Sequence, residues 1–369
     1  MGGFHLPFVS IINQSYSMLR SQIANEPGVI IGPIAHVFGY IIDFIFNIVY
    51  ALTENHSLGL SIILLTIIVR FLMLPLGIKQ QKSMLKMQKL NPEIQKIRNK
   101  YGNSKDPEIA KKMNAEQQAL YAKNKVNPLS GCLPLLITMP LFFGLHYIMN
   151  QSYLYVSELN KTYHSLSYTI IHEVPNYANY VVPLAERYVP QKMQNEGTFD
   201  ISVVENMSKV LNRFSTEDWD KFMNQSPKEF SQHPVIQAQE RIPPISTLPA
   251  YRKIQTELER KRAIENFFGL PLIDASGTSW PGILIPILVA LSTFTSSWIM
   301  SKMQPSTDDK QKMQQKIMMY AMPALMLFMT VGLAAGVGIY WITSSVFQTA
   351  QQAVLNARAG YSLFKKKEA

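Results

Sequence analysis

Residues 59–76 read GLSIILLTIIVRFLMLPL, and this stretch decides the fold. Apart from Ser61, Thr66 and one arginine, Arg70, its side chains are apolar or absent. A helix needs roughly 20 mostly apolar residues to cross a bilayer, and the segment 57–78 is long enough. A charge at the bilayer centre costs about 2.5–3.5 kcal/mol or more, so such residues usually face a cavity or a partner. The bland alternative is snorkelling to the interface. At a rise of ~1.5 Å per residue, Arg70 lies roughly 13 Å from Lys79, about twice the reach of its side chain. The spacing favours a polar cavity.

Working outward, three further segments are long and apolar enough: Leu129–Met149, Trp280–Met303 and Ile317–Leu333. A fifth, Val337–Leu355, is more polar at its end. Gly336 and Gly338 place a tight turn between the last two. The chain is 47% hydrophobic and 16% charged, and its net charge of +10 is unevenly placed. The loop 79–128 carries twelve Lys and Arg against four Asp and Glu, which marks it as cytoplasmic. Lys302, Lys310, Lys312 and Lys316 put the loop 304–316 on the same side, and Lys365–Lys367 do so for the tail 357–369. The mixed-charge stretch 151–279 is then outside.

Residues 28–56 carry His36, Tyr40, Asp43, Asn47, Tyr50 and Glu54 as one polar stripe. Such a helix either lies in the membrane interface or spans with its stripe against other helices; the outer interface is the expectation. The basic loop reads as a helical hairpin. Its first arm runs from Lys79 to Tyr101, and Gly102-Asn103 breaks it. Asp106 caps a second arm that opens on Pro107, and Ile109, Met113, Leu120 and Tyr121 form the facing stripe. In the outer stretch, Ile201, Val204, Met207, Leu211 and Phe214 recur at helical spacing. Ser215 and Asp218 form a capping-box start for a helix with Trp219 and Phe222. Ile254, Leu258 and Phe268 mark another helix, closed by Gly269.

No carboxylate within the clear spans can neutralise Arg70; Asp43 is the nearest candidate in sequence. Polar companions are available: Thr66 one turn before it, Thr138 in the second span, and Ser292, Thr293, Thr295, Ser296 and Ser297 in the third. Ser344, Ser345, Gln348, Gln351 and Gln352 fill the last span. Singly, each is helix-packing polar glue; together they point to a hydrated groove. One cysteine rules out an internal disulfide. His164, His172 and His233 lack ligand spacing, and no nucleophile–base pair or phosphate loop appears, so neither enzyme nor cofactor is expected. Residues 1–27 lack a basic region followed by an apolar core, so no cleavable signal peptide is expected.

In this order, Gly59–Leu76, Lys82–Tyr101 (KSMLKMQKLNPEIQKIRNKY), Val126–Phe142 (VNPLSGCLPLLITMPLF), Met313–Met322 (MQQKIMMYAM) and Gly338–Gln352 (GIYWITSSVFQTAQQ) resemble the YidC/Oxa/Alb membrane protein insertases. The resemblance implies an all-α polytopic protein with a five-helix core, a cytoplasmic hairpin and, here, a largely helical outer insert. It places Arg70 in a groove open to cytoplasm and lipid and closed outside. Thr66 and Trp341 match positions that contact substrate in the family. The expected substrate-binding set is Arg70, Thr66, Trp341, Tyr340, Thr138, Ser345 and Gln348.

Thr138 stands where many relatives have glutamine and Ser345 where some have asparagine. A short family loop is expanded to about 153–265, and no lipoprotein signal or separate first span is evident. The domain reading is therefore 1–27, interfacial helix 28–56, spans 57–78, 129–150 and 280–303, and a last hairpin 317–356. The expected partners are nascent membrane proteins, the ribosome, the Sec translocon and anionic lipids, with no sequence-specific nucleic acid. The expected location is the bacterial cytoplasmic membrane. The alternatives are a small-solute transporter with Arg70 as an anion site, which predicts repeats and discontinuous helices, and an assembly factor without insertion activity.

Overall fold

The computed structural model describes residues 31–53, 57–102, 106–126, 133–185, 200–232, 234–239, 242–277, 280–303 and 309–358. Cys132, His233 and the lysines at 365–367 lie outside the described residues. The described chain is almost wholly helical, and its strands are two residues long each. In chain order the helices are α1 (Ile31–Thr53), α2 (Leu58–Leu72), α3 (Leu74–Lys89), α4 (Asn91–Tyr101), α5 (Pro107–Lys123) and α6 (Leu133–Asn150). The outer stretch adds α7 (Ser152–Tyr155), α8 (Ser157–Glu173), α9 (Ala178–Ala185), α10 (Val204–Leu211), α11 (Thr216–Asn224), α12 (Pro227–Phe230), α13 (Pro234–Ala238) and α14 (Tyr251–Glu265). A hairpin of β1 (Asn266–Phe267) and β2 (Leu270–Pro271) leads to α15 (Leu284–Met303), α16 (Asp309–Val331) and α17 (Ala335–Arg358).

Among the described residues, two helices are long and apolar enough to cross a membrane by themselves, Gly32–Thr53 and Leu284–Lys302. Leu58–Leu72 and Leu74–Ser83 pass together, bent by 55° at Met73. Pro75 has no N–H to give the carbonyl of Phe71, which removes one helical bond at the bend. Gln315–Val331 is a shorter apolar helix.

The chain forms two compact units. The first comprises 1–65, 141–286 and 329–340; the second comprises 66–140, 287–328 and 341–369.

In the first unit, α1 has three faces at ~100° of rotation per residue. Ala35, Ile42, Ile45, Phe46 and Val49 are buried. Val37, Phe44 and Ile48 are exposed and apolar. His36, Tyr40, Asn47 and Tyr50 form the exposed polar stripe. Asp43, on that stripe, accepts hydrogen bonds from the N–H and Oγ of Ser157, both at 2.8 Å, at the start of α8. The one carboxylate that sequence offered to Arg70 is thus spent on a helix N-terminus.

The outer helices share a core of Trp219, Tyr163, Tyr180, Phe222, Leu159 and Leu166. Ser215 and Asp218 form the expected capping box of α11. Met207, Leu211 and Phe214 are buried, as their spacing requires. The helix carrying Ile254 and Leu258 ends earlier than expected, at Glu265. Phe268 and Gly269 form the hairpin turn instead, with φ of 51° and 79°. Phe268 is 90% exposed rather than part of the buried stripe.

At the end of α14 the core holds an ion pair. Lys261 Nζ lies 2.6 Å from Glu265 Oε2, and Tyr163 donates its hydroxyl to Glu265 Oε1 at 3.0 Å. The ammonium also sits 5.8 Å from the Trp219 ring centre. Burial raises the Glu265 carboxyl above its usual value of 4.5, against the opposing pull of Lys261 and Tyr163. The folded state therefore holds this proton more tightly than the unfolded chain. Its stabilising effect is complete below the ordinary carboxylate range and is lost as pH rises through the raised value. Hydrogen exchange of the α14 amides should show protection falling over that window, and Glu265→Gln should flatten the fall. An unchanged slope in the variant would sink the assignment.

After Glu265 the chain laces across helix ends. Phe267 packs so closely on Gly59, in the first turn of α2, that a β-carbon there would strike its ring. Ala335 and Gly336 donate their N–H groups to Asp274 O at 3.0 Å and Leu272 O at 2.9 Å, satisfying the free donors of α17. Ser276 and Gly277 donate to Leu333 O and Val331 O, both at 2.9 Å. The turn between the last two helices falls at Gly332–Ala334, and Gly336 and Gly338 lie inside α17, not at the turn. Gly336 answers a different need: a β-carbon there would lie 2.7 Å from Met149 Sδ and 3.3 Å from Leu272 O.

In the second unit, α4 and α5 form the basic hairpin. Gly102, at φ 62°, ends α4. Asp106 caps α5 by accepting from the N–H of Glu108 at 2.8 Å, and Pro107 opens the helix. Leu90, Ile94 and Val126 are buried between the arms, packed with Met87, Leu120 and Tyr121. The first arm is broken rather than continuous. The chain turns at Leu90, and α4 restarts at Asn91-Pro92.

Candidate functional site

Arg70 sits near the end of α2, in the second unit. Its Nη2 donates to Ser344 Oγ on α17, 274 residues away in sequence. Ser344 is 3% exposed and Arg70 is half-buried, so the guanidinium is neither sealed in nor free in solvent. Two more contacts align these elements. Phe71 meets Phe347 edge-on, with ring centres 5.1 Å apart. Gly77 lies against the Gln351 amide, where a β-carbon would clash. The paired positions rise together along both chains, so α2–α3 and α17 run in the same direction.

One face of α17 gathers Trp341, Ser344, Ser345, Gln348 and Gln352 at helical spacing. Trp341 and Ser345 are half-buried and Gln348 is exposed. Thr138 on α6 is half-buried as well. Thr66, one turn before Arg70, is 2% exposed, so its hydroxyl is packed rather than open. Tyr340 is half-buried and falls in the first unit. The sequence reading puts Ser345 in the substrate-binding set and Ser344 among the polar companions of Arg70, and it is Ser344 that accepts from the arginine. Both were visible as polar residues; only the rotation of α17 separates them.

The hydroxyls of α15 do a different job. Ser292 and Thr293 donate to Val289 O at 2.9 and 2.8 Å, and Thr295 donates to Leu291 O at 2.8 Å. Ser296 donates to Ser292 O and also meets Thr349 Oγ1 at 2.5 Å. They are satisfied by their own helix or by a packed neighbour, as hydroxyls in packed membrane helices are.

Around this polar face the same unit exposes large apolar side chains, among them Phe71, Leu72, Leu288, Trp298, Ile317 and Phe328. Apolar exposure on this scale marks a surface that does not face water. Fold and site together define an all-α membrane protein with a half-buried arginine on one helix donating to a serine on another.

A sequence model of the family described as 60Kd inner membrane protein matches residues 48–216 and 242–361, more than half of the chain. The chain belongs to this family, the YidC/Oxa/Alb insertases. It is 27% identical over 317 residues to the membrane protein insertase YidC of Enterococcus faecalis, covering 86% of this chain and 73% of that one. It is 34% identical over 189 residues to YidC 2 of Bacillus anthracis, 51% of this chain and 68% of the relative. The insertase MisCA of Bacillus subtilis is 38% identical over 162 residues, with coverages of 41% and 59%.

Proposed function

We propose that this membrane protein insertase takes substrates through a polar groove built around Arg70. The observation that carries the reading is a half-buried arginine in an apolar helix, donating to Ser344 on a helix whose same face bears Trp341, Ser345 and Gln348. Family membership favours insertion over the small-solute transport alternative.

In this reading α2–α3, α6, α15, α16 and α17 are five spans of a bacterial cytoplasmic membrane protein, and the lysine-rich hairpin lies inside. The ends of α2, α6, α16 and α17 that meet the insert in one unit are the outer ends. Helix α1 lies in the outer interface, with one face on protein, one in lipid and one in water; its three exposure classes support this.

A substrate's acidic outer tail enters from the cytoplasm and is held by Arg70, where the low local dielectric strengthens the attraction. Thr138, Tyr340, Trp341, Ser345 and Gln348 contact it, with Thr66 supporting Arg70. The apolar segment then moves into lipid, driven by its own burial. The basic hairpin recruits the ribosome or anionic headgroups, and the Sec translocon is a candidate partner for larger substrates.

Single cysteines in a Cys132→Ser chain test the groove. Those at Thr138, Ser345 and Gln348 should react with a water-soluble thiol reagent, and one at Leu288 should not. If all stay unlabelled in active protein, the groove is wrong. A photo-crosslinker at Trp341 should capture a nascent membrane protein.

A further inference from the structure

We propose that the turn Phe267–Gly269 is a lipid-contact site of the insert. Phe268 sits in the headgroup–acyl boundary of the outer leaflet, and Arg260 and Arg262 meet anionic phospholipid headgroups. The inference rests on reading the Leu58 end of α2 as its outer end. Phe267 supplies the level, because its ring packs on Gly59 in the first turn of that apolar helix. Its neighbour Phe268 is therefore held at the height where the span leaves the membrane. The rings stand 4.7 Å apart and 72° from parallel, so Phe267 is the anchor and Phe268 points away at 90% exposure. In the same unit Trp280, Ile283 and Leu284 are exposed at the start of α15, another outer end. An aromatic at each of two outer ends is the pattern of an interfacial belt.

The backbone adds a second argument. A two-residue hairpin turn with positive φ at both positions prefers Asn-Gly or Asp-Gly. Here the first position is Phe268, at φ 51°, a conformation that bulky residues avoid. The chain keeps a large aromatic at a position where a small polar residue would fit with less strain, and the ring packs on no core. Charge supplies the third argument. Arg262 lies exposed in the last turn of α14, about one helical turn from the hairpin, and Arg260 just before it stays 50% exposed while also pairing with Glu257 at 3.5 Å. An aromatic tip beside exposed arginines matches an anionic leaflet, with apolar insertion and headgroup attraction acting together.

The test uses the full chain, Cys132→Ser, in vesicles of phosphatidylglycerol and phosphatidylethanolamine. A nitroxide at Phe268→Cys should be reached better by oxygen than by a water-soluble nickel chelate, and a nitroxide at Tyr168→Cys should show the reverse. Arg260→Ser with Arg262→Ser should raise chelate access at position 268 several-fold, and pure phosphatidylcholine should do the same. Phe268→Asn keeps the turn and should speed amide exchange of residues 266–271 in vesicles. A label at 268 as wet as the one at 168 overturns the proposal. So does a label shielded from both reagents, which would mean a second copy or another protein covers the tip. A cysteine at 168 labelled only from the cytoplasmic side would overturn the outer placement itself, a failure distinct from a wet tip on a correctly oriented chain.

Discussion

Replacing Lys261 with methionine should destabilise the outer insert by about 3–5 kcal/mol, the cost of leaving a buried carboxylate without its counter-charge. Glu265 is 4% exposed and Lys261 8%, so water cannot take over the lost contact. Methionine keeps the stem against Trp219 and isolates the charge. Because Glu265 already holds its proton more tightly than an exposed carboxylate, the loss should shrink as pH falls and grow as pH rises. The double variant Lys261→Met with Glu265→Leu should recover most of the stability, since apolar pairs often replace buried ion pairs at no cost. Chemical unfolding of the insert, followed by hydrogen exchange, measures all three. A single variant as stable as the parent would show that the pair contributes nothing.

Reversing the charge at Arg70 should have the largest effect on insertion. A carboxylate about 5 Å from the guanidinium gains roughly 3 kcal/mol at an effective dielectric near 20, which corresponds to a rate factor on the order of a hundred. Arg70→Glu should therefore slow insertion of a substrate with an acidic outer tail by about that factor or more, and spare one with a neutral tail. Arg70→Lys should fall between, because a lysine keeps the charge and loses the fork geometry. Ser344→Ala should weaken the effect of Arg70 on acidic tails more than Ser345→Ala does, since Ser344 accepts from the guanidinium. Insertion rates into proteoliposomes, for tails differing only in acidic residues, decide the matter. Equal losses for both tails would remove the electrostatic role and leave Arg70 a structural one.

Local chemistry made much of the fold legible. The cap at Asp106-Pro107 and the capping box at Ser215 and Asp218 need only three or four neighbouring residues, and both form as the sequence indicates. The stripe of α1 is equally local, a matter of helical period. Glycines are ambiguous in a sequence because glycine serves two needs. Gly336 and Gly338 looked like a turn, yet Gly336 makes room for Met149 and Leu272, which arrive from distant parts of the chain. Gly269 looked like a helix end and instead forms a hairpin turn with Phe268.

Sequence by itself determined the class of the molecule. Apolar runs long enough to cross a bilayer, a costly arginine inside one of them and lysines concentrated on alternate loops depend on composition and period alone, since a bilayer acts on each segment separately. Only the tertiary structure decided what Arg70 touches. Ser344 and Ser345 are adjacent in sequence and equally polar, and the rotation of α17 against α2 turns one of them to the guanidinium. The same holds for Asp43, whose carboxylate serves Ser157. A hydrogen bond is directional and short, so its partner is set by packing over hundreds of residues rather than by the local run that holds the charge.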